Sequence, residues 1–281
     1  MNFNFSLIIA TINRSEELGL LLSSLKNQTY KNFQVIIVDQ NLDNRIVSII
    51  SDYKDFLKIV HIKTNKKGVS NARNAGIELA EGDIITFPDD DCEYDTHILE
   101  KVNKFLDENS SLDGITLTSY EKGNTGKVAR LSSKREYITK YNILNCVIEF
   151  GIFIKITSLK NLRFDENLGV GAPSPWWSDE GPDLIYRLIK EGCSFLYLPE
   201  IVIYHPNPVK KYDERSFQRS YRYGCGRGKF LKKHQYPFWF FSYICLKYIA
   251  GFVMSLFQFK LSKAKFYLYG LKGRITGYIN D

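Results

Sequence analysis

Ile84-Ile85-Thr86-Phe87-Pro88-Asp89-Asp90-Asp91 is the stretch on which the fold turns. Its apolar and β-branched residues read as a buried strand, and Pro88 closes it because proline cannot donate to a ladder. The carboxylates then stand directly at the strand's carboxyl end. Towards the N-terminus the same unit recurs. Phe5-Ser6-Leu7-Ile8-Ile9-Ala10, Phe33 to Val38 and Lys58 to Ile62 are further strands. Between the first two, Leu18, Leu21, Leu22 and Leu25 recur at i, i+3, i+4 and i+7, the spacing of an amphipathic helix. Ile46 to Phe56, Val69 to Ala80 and about Thr96 to Leu106 supply further helical stretches. Strand and helix alternating in this way predict an α/β fold, a mainly parallel sheet with helices on both faces. Ligands bind such sheets at the carboxyl ends of the strands, where this sequence places its polar residues.

Downstream, Asp113 to about Glu166 mixes strand-like runs (Gly114 to Ser119, Val147 to Ile156) with a polar loop around Gly123-Asn124-Thr125-Gly126, and antiparallel strands are expected. Pro182 to Glu191 reads as a helix with proline in its first turn and Gly192 as its stop. Phe195 to Leu198 and Ile201 to Tyr204 read as short strands. At 281 residues, 44% hydrophobic and 25% charged, the chain has ordinary globular composition. Its first residues lack a basic region followed by a long apolar run, so a secretory signal is not expected. Cys92, Cys146, Cys193, Cys225 and Cys245 are odd in number and widely spaced. They read as reduced thiols of a cytosolic protein rather than a disulfide framework or zinc site.

The net charge of +7 is unevenly distributed. Lys210 to Asp281 holds 15 Lys/Arg against 3 Asp/Glu, a balance of +12, whereas residues 1–209 carry −5. A basic tail implies an anionic partner, a phospholipid surface or nucleic acid. Within it Tyr236 to Phe257 is dense in Phe, Tyr, Trp and Leu, with Lys247 near the centre and basic clusters on both sides. The length would cross a bilayer, but a central lysine is costly there. Aromatic residues bordered by cations suit the membrane interface, and a helical pair packed on the preceding domain is the plainer alternative. Nucleic acid is the weakest partner, because the cations interleave with the apolar segment.

Three adjacent carboxylates at 89–91 repel one another, and a divalent cation relieves that cost. A solvated acidic loop is the competing reading; an EF-hand loop does not fit, since alternate ligands and the central glycine are missing. Asp39 closes the second strand, as a ligand contact or a turn aspartate. Thr11 and Arg14 follow the first strand without a glycine-rich turn, against a dinucleotide-binding domain. In Lys67-Gly68-Val69-Ser70-Asn71-Ala72-Arg73-Asn74-Ala75-Gly76, a helix N-terminus and Arg73 suit an anion, or simply make a structural helix.

Together these segments resemble family 2 of the glycosyltransferases, with its GT-A fold. The likeness is carried by Ser6 to Arg14, Gln34 to Gln40, Gly68 to Gly76 and the acids at 89–91, in register over about the first 100 residues and less firmly to about 205. The resemblance implies a catalytic domain over 1–209, with a nucleotide-binding half at 1–112 and an acceptor half at 113–209, before the helical tail at 210–281. It implies that Thr11, Arg14, Asp39, Arg73, Asn74, Asp89 and Asp90 bind a nucleotide-sugar, and that Asp89, Asp91 and His205 hold Mg²⁺ or Mn²⁺. His205 alone would more simply be structural. Where such enzymes carry a Glu-Asp pair, Trp176-Trp177-Ser178-Asp179-Glu180-Gly181-Pro182-Asp183 offers Glu180 and then Gly181. Glu180 is the first choice for the base that deprotonates the acceptor, and Asp179 the second. Asp183 would contact the acceptor or cap the helix, and Trp176 and Trp177 would form a sugar-stacking wall or a packed pair.

The resulting expectation is an inverting transferase using a UDP- or dTDP-sugar in cell-surface polysaccharide synthesis. Its saccharide acceptor would sit on a lipid diphosphate at the cytoplasmic membrane face. The alternatives are a catalytically impaired carbohydrate- or membrane-binding homologue, which Gly181 keeps open, and a sugar-nucleotide nucleotidyltransferase, which lacks its glycine-rich loop here.

Overall fold

The computed structural model describes residues 1–123 and 131–280. Asn124, Thr125 and Gly126 of the expected polar loop lie outside the described residues. The chain divides into two compact units: residues 1–67, 71–164 and 181–207 make the first, and residues 68–70, 165–180 and 208–281 the second.

The first unit begins β1 (Phe5–Thr11), α1 (Glu16–Lys26), β2 (Phe33–Asp39), α2 (Val47–Tyr53), β3 (Lys58–Lys63), α3 (Val69–Ile77), β4 (Ile84–Thr86), β5 (Glu93–Tyr94) and α4 (Ile98–Glu108). It continues with β6 (Gly114–Tyr120), β7 (Glu136–Tyr137), β8 (Ile152–Lys155), α5 (Ile156–Leu159), α6 (Glu180–Lys190) and β9 (Phe195–Tyr204). The first two residues of α3 and the first of α6 count with the second unit. The strands form one sheet in the order β3-β2-β1-β4-β8-β6-β9-β5, with β7 also on β9. β1, β2, β3 and β4 run parallel, and β8 is antiparallel to both β4 and β6. Every residue of β2 is buried, as expected of a parallel strand covered on both faces. The leucine stripe of α1 (Leu18, Leu21, Leu22, Leu25) and that of α4 (Ile98, Leu99, Val102, Leu106) pack in one core with Phe5, Leu7, Ile9, Val35 and Ile37.

The sequence reading is refined at two places. Phe195 to Tyr204 is one strand, not two; β9 pairs in parallel with β6, and the register shifts between Leu117 and Thr118, opposite the stretch around Pro199. Proline removes a ladder donor, so the strand bulges there instead of ending. Val147 to Ile156 is extended only over β8, preceded by a 3₁₀ turn at Glu149–Gly151 and followed by α5.

The second unit is led by α7 (Glu214–Lys233), α8 (Phe238–Phe257) and α9 (Leu261–Ile279). Asp213 caps α7 in a reciprocal box with Ser216. α7 and α9 meet backbone to backbone through glycines: a Cβ at Gly273 would lie 2.0 Å from the Tyr221 carbonyl oxygen, and one at Gly277 1.9 Å from that of Cys225. α8 is long and apolar enough to cross a membrane, with 28% of its apolar window buried. Trp239, Tyr243, Leu246, Val253 and Phe257, at helical spacing, are exposed.

Candidate active site

Strand register assembles the site in the first unit. Thr11 and Asp39, the last residues of β1 and β2, share one rung, and Ala10 bridges Asp89 in parallel beyond β4. Three sequence-distant polar residues therefore stand at adjacent strand ends, where the fold class places its ligands. Asp39 is fully buried. Its Oδ1 accepts from the Asn41 backbone N–H at 2.8 Å and side-chain amide at 2.7 Å, and its Oδ2 lies 3.2 Å from His61 Nε2. Asn41 Oδ1 in turn accepts from the Asn13 N–H at 2.7 Å. Asn13 has φ 59°, a left-handed conformation that asparagine tolerates, and this turn aims Arg14. Arg14 Nη1 reaches Asp90 Oδ1 at 2.6 Å and Asp91 Oδ2 at 2.8 Å.

Each acid of the 89–91 run has its own surroundings. Asp89 accepts from Arg73 Nη2 at 2.9 Å, and Arg73 is buried with its guanidinium over Phe164. Asn74 pins that phenylalanine, donating to its carbonyl at 3.0 Å and accepting from its N–H at 2.9 Å. Asp90 is buried, which pushes its carboxyl up to about 6 against the opposing pull of Arg14. Burial would also raise Asp91, but the hydrogen bond and charge of His205, together with Arg14, outweigh it and hold that carboxyl below its ordinary value.

The antiparallel pairing of β5 with β9, which sets Glu93 opposite Tyr204, carries His205 to the acids. Its Nε2 lies 3.1 Å from Asp91 Oδ1 and 3.9 Å from Asp89 Oδ2, and its ring stacks on Phe150 at 4.7 Å. Its Nδ1 is 2.6 Å from the Pro206 carbonyl, which can only accept, so Nδ1 carries a proton and Nε2 faces the acids. Burial opposes its charged form, but Asp91 and Asp89 raise it above its ordinary value. Asp89, Asp91 and His205 each offer a ligand atom, all within 4.8 Å of one another. Two hard carboxylate oxygens and one imidazole nitrogen are a donor set that fits Mg²⁺ or Mn²⁺.

In the second unit, Asp179 and Glu180 are both buried. Asp179 adopts φ 67° and is gripped by Arg227, whose Nε is 2.9 Å from both carboxylate oxygens and whose Nη2 is 2.8 Å from Oδ1. A Cβ on Gly169 would lie 3.0 Å from Glu180 Cδ, so glycine leaves room for that carboxyl. Trp177 lies under the Arg222 guanidinium at 3.9 Å and Trp176 under the Lys229 ammonium at 4.2 Å. Each indole thus has a cation on one face.

Asp183 stands in the first unit. It is fully buried and accepts from Arg187 Nε at 2.8 Å, one turn along α6, a tie within the helix. Gly181 has a neighbour that sequence reasoning missed: a Cβ there would meet Glu149 Cγ at 2.9 Å and lie 3.2 Å from its Oε1. A carboxylate from the 3₁₀ turn thus fills the space beside the glycine. His61 and Arg227 were also missed. Nothing in the run Lys58–Lys63 singled out the first, and the basic tail concealed the second.

These geometries have relatives. A model of glycosyl transferase family 2 matches residues 6–165. The minor teichoic acid biosynthesis protein GgaB of Bacillus subtilis is 32% identical over 183 residues, covering 60% of this chain and 20% of that protein. The GalNAc(5)-diNAcBac-PP-undecaprenol beta-1,3-glucosyltransferase of Campylobacter jejuni is 27% identical over 179 residues, covering 61% of this chain and 58% of that one. The chain therefore spans less than two thirds of the length of either. In three dimensions, Staphylococcus aureus TarS 1–349 in complex with UDP-GlcNAc superposes with a TM-score of 0.61 at 15% identity, over 97% of this chain and 91% of that one. The last is a likeness of fold. With the family match extending over more than half of its residues, the protein belongs to glycosyl transferase family 2.

Proposed function

We propose that this family 2 enzyme is an inverting transferase that moves a sugar from a UDP- or dTDP-sugar to a saccharide acceptor during synthesis of a cell-surface polymer. The observation that carries the reading is the meeting of Asp89, Asp91 and His205 beside Arg73 and Arg14, at the ends of strands that also present Thr11 and Asp39. The named relatives, which act in teichoic acid and undecaprenol-linked glycan synthesis, support the polymer class and a lipid-diphosphate-linked acceptor.

In this reading Asp39 and Thr11 receive the nucleoside, and Arg14, Arg73 and Asn74 fix the acids against the donor. Mg²⁺ or Mn²⁺, held by Asp89, Asp91 and His205, would supply Lewis-acid charge neutralisation to the departing diphosphate. Glu180 takes the proton of the acceptor hydroxyl as that oxygen bonds the anomeric carbon and the bond to the diphosphate oxygen breaks. Attack opposite to departure inverts the anomeric centre. Trp176 and Trp177 offer their remaining faces to the acceptor sugar. The basic, aromatic tail would hold the enzyme on the cytoplasmic face of the plasma membrane, with no role for nucleic acid.

The test is turnover across a panel of UDP-, dTDP- and GDP-sugars with and without Mn²⁺. Turnover of one donor class, lost with EDTA and in Glu180→Gln while nucleotide binding persists, is the expected result. No turnover and no metal-dependent nucleotide binding by the native chain would exclude it.

A further inference from the structure

We propose that Arg227 of α7 is a positioning residue for the transfer reaction, clamping Asp179 so that the adjoining Glu180 is presented in its working orientation. The inference rests on the assignment of Glu180 as base and gives the tail a task beyond surface attachment.

The clamp is built from several independent contacts. Arg227 meets Asp179 with a bidentate guanidinium, the geometry that fixes orientation as well as charge. Ser178 Oγ lies 2.8 Å from Asp179 Oδ2 and 2.9 Å from the Tyr223 carbonyl, one turn before Arg227. The Trp177 N–H donates to the Arg222 carbonyl at 3.3 Å. Between them, Gly226 brings the helix against the strand of chain it holds: a Cβ there would lie 2.6 Å from both Ser178 N and Ser178 Oγ. Arg222 and Lys229 cover the two tryptophans. Residues 176–179 are thus strapped along α7 from Arg222 to Lys229.

The strap ends on a left-handed turn of the backbone. Asp179 sits at φ 67°, a left-handed conformation that aspartate visits more readily than most residues, and the contacts of its carboxylate hold it there. Glu180 follows immediately and starts α6, so the peptide set by Asp179 sets the direction of the Glu180 side chain. Behind the strap, α7 is held by α9 through the glycine contacts, and the buried Arg274 of α9 lies over Tyr248 at 3.5 Å and donates to the Gly270 carbonyl at 2.8 Å. A buried aspartate without its arginine would be an uncompensated charge, so the pair is retained as a unit.

The experiment uses the full chain with the nucleotide-sugar that it turns over, and compares Arg227→Ala, Arg227→Lys, Asp179→Asn and Glu180→Gln. Misplacing a reacting group by about 1 Å costs about 100-fold in rate. Arg227→Ala and Asp179→Asn are therefore expected to lose about 100-fold in kcat with donor KM within about twofold of native. Arg227→Lys, which keeps the charge but not the fork, should fall between. Trp176 and Trp177 emission reports release of the strap whether or not a variant turns over.

A kcat for Arg227→Ala within about twofold of native, in a variant whose emission shows the strap released, would overturn the inference. So would an equal rise in KM with kcat unchanged, which signals lost binding rather than lost orientation. If Glu180→Gln itself keeps native turnover, the base assignment fails instead, and the emission change in Arg227→Ala still decides whether the strap exists. Should Arg227→Ala not fold, Arg227→Lys and Asp179→Asn carry the same comparison.

Discussion

Asp89, Asp90 and Asp91 are adjacent in sequence, yet each meets a different set of partners. Asp89 faces Arg73, Asp90 shares Arg14 with Asp91, and the His205 ring approaches Asp91 more closely than Asp89. The histidine is the most telling of the partners, since its Nδ1–H is committed to Pro206 and its other nitrogen is aimed at the acids. His205→Ala is expected to weaken Mn²⁺ binding about 10- to 100-fold while leaving the fold intact, measured by titration calorimetry. Unchanged affinity would assign His205 to packing on Phe150. The acids themselves were readable in sequence, because a run of like charges after a strand is costly without a counter-charge. His205 was reachable only through the family likeness, since its approach depends on a pairing between strands more than a hundred residues apart. Arg227 was read as one of many tail cations, and Glu149 beside Gly181 was invisible, because nothing local announces either contact.

At the scale of elements, the apolar runs of β1 and β2 and the leucine stripe of α1 could be read directly, since burial on both faces and a 3.6-residue period leave few alternatives. Phe195 to Leu198 and Ile201 to Tyr204 read as two strands, but they form one, because β6 absorbs the stretch around Pro199 as a register shift. The packing of α7 on α9 was not legible, because glycines in a helix mark weakness unless the facing backbone is known. Gly277→Val places its first side-chain carbon 1.9 Å from a carbonyl oxygen, and backbone cannot swing aside as a side chain would. The expected cost is about 3 kcal/mol or more, the upper end of overpacking penalties, read by denaturant unfolding. A midpoint equal to the native value would mean that the helices do not meet so closely in solution.

Across the whole molecule, the uneven charge has two destinations. Part of the tail's basic excess is spent inside the second unit, on Asp179, Asp165 and Glu214 through Arg227, Lys233 and Lys265. Of the others, Lys260 and Lys263 border the exposed Phe257, Phe259 and Leu261 at the turn between α8 and α9. For the proposed membrane role, the expected outcome is binding to vesicles containing phosphatidylglycerol, with a blue shift of Trp239 emission. Retention should be partial in high salt, since apolar insertion is not screened. Vesicle binding that vanishes completely in salt, with no shift, would reduce the contact to charge alone. The clamp on Asp179 also has a consequence in time. Its two halves lie 48 residues apart, so a ribosome adding about 5–20 residues per second needs several seconds to pass from one to the other. Throughout that interval the nascent chain already carries its donor-site acids but not the arginine that steadies its base, and on the proposed mechanism it stays silent towards sugar nucleotides until α7 has been made.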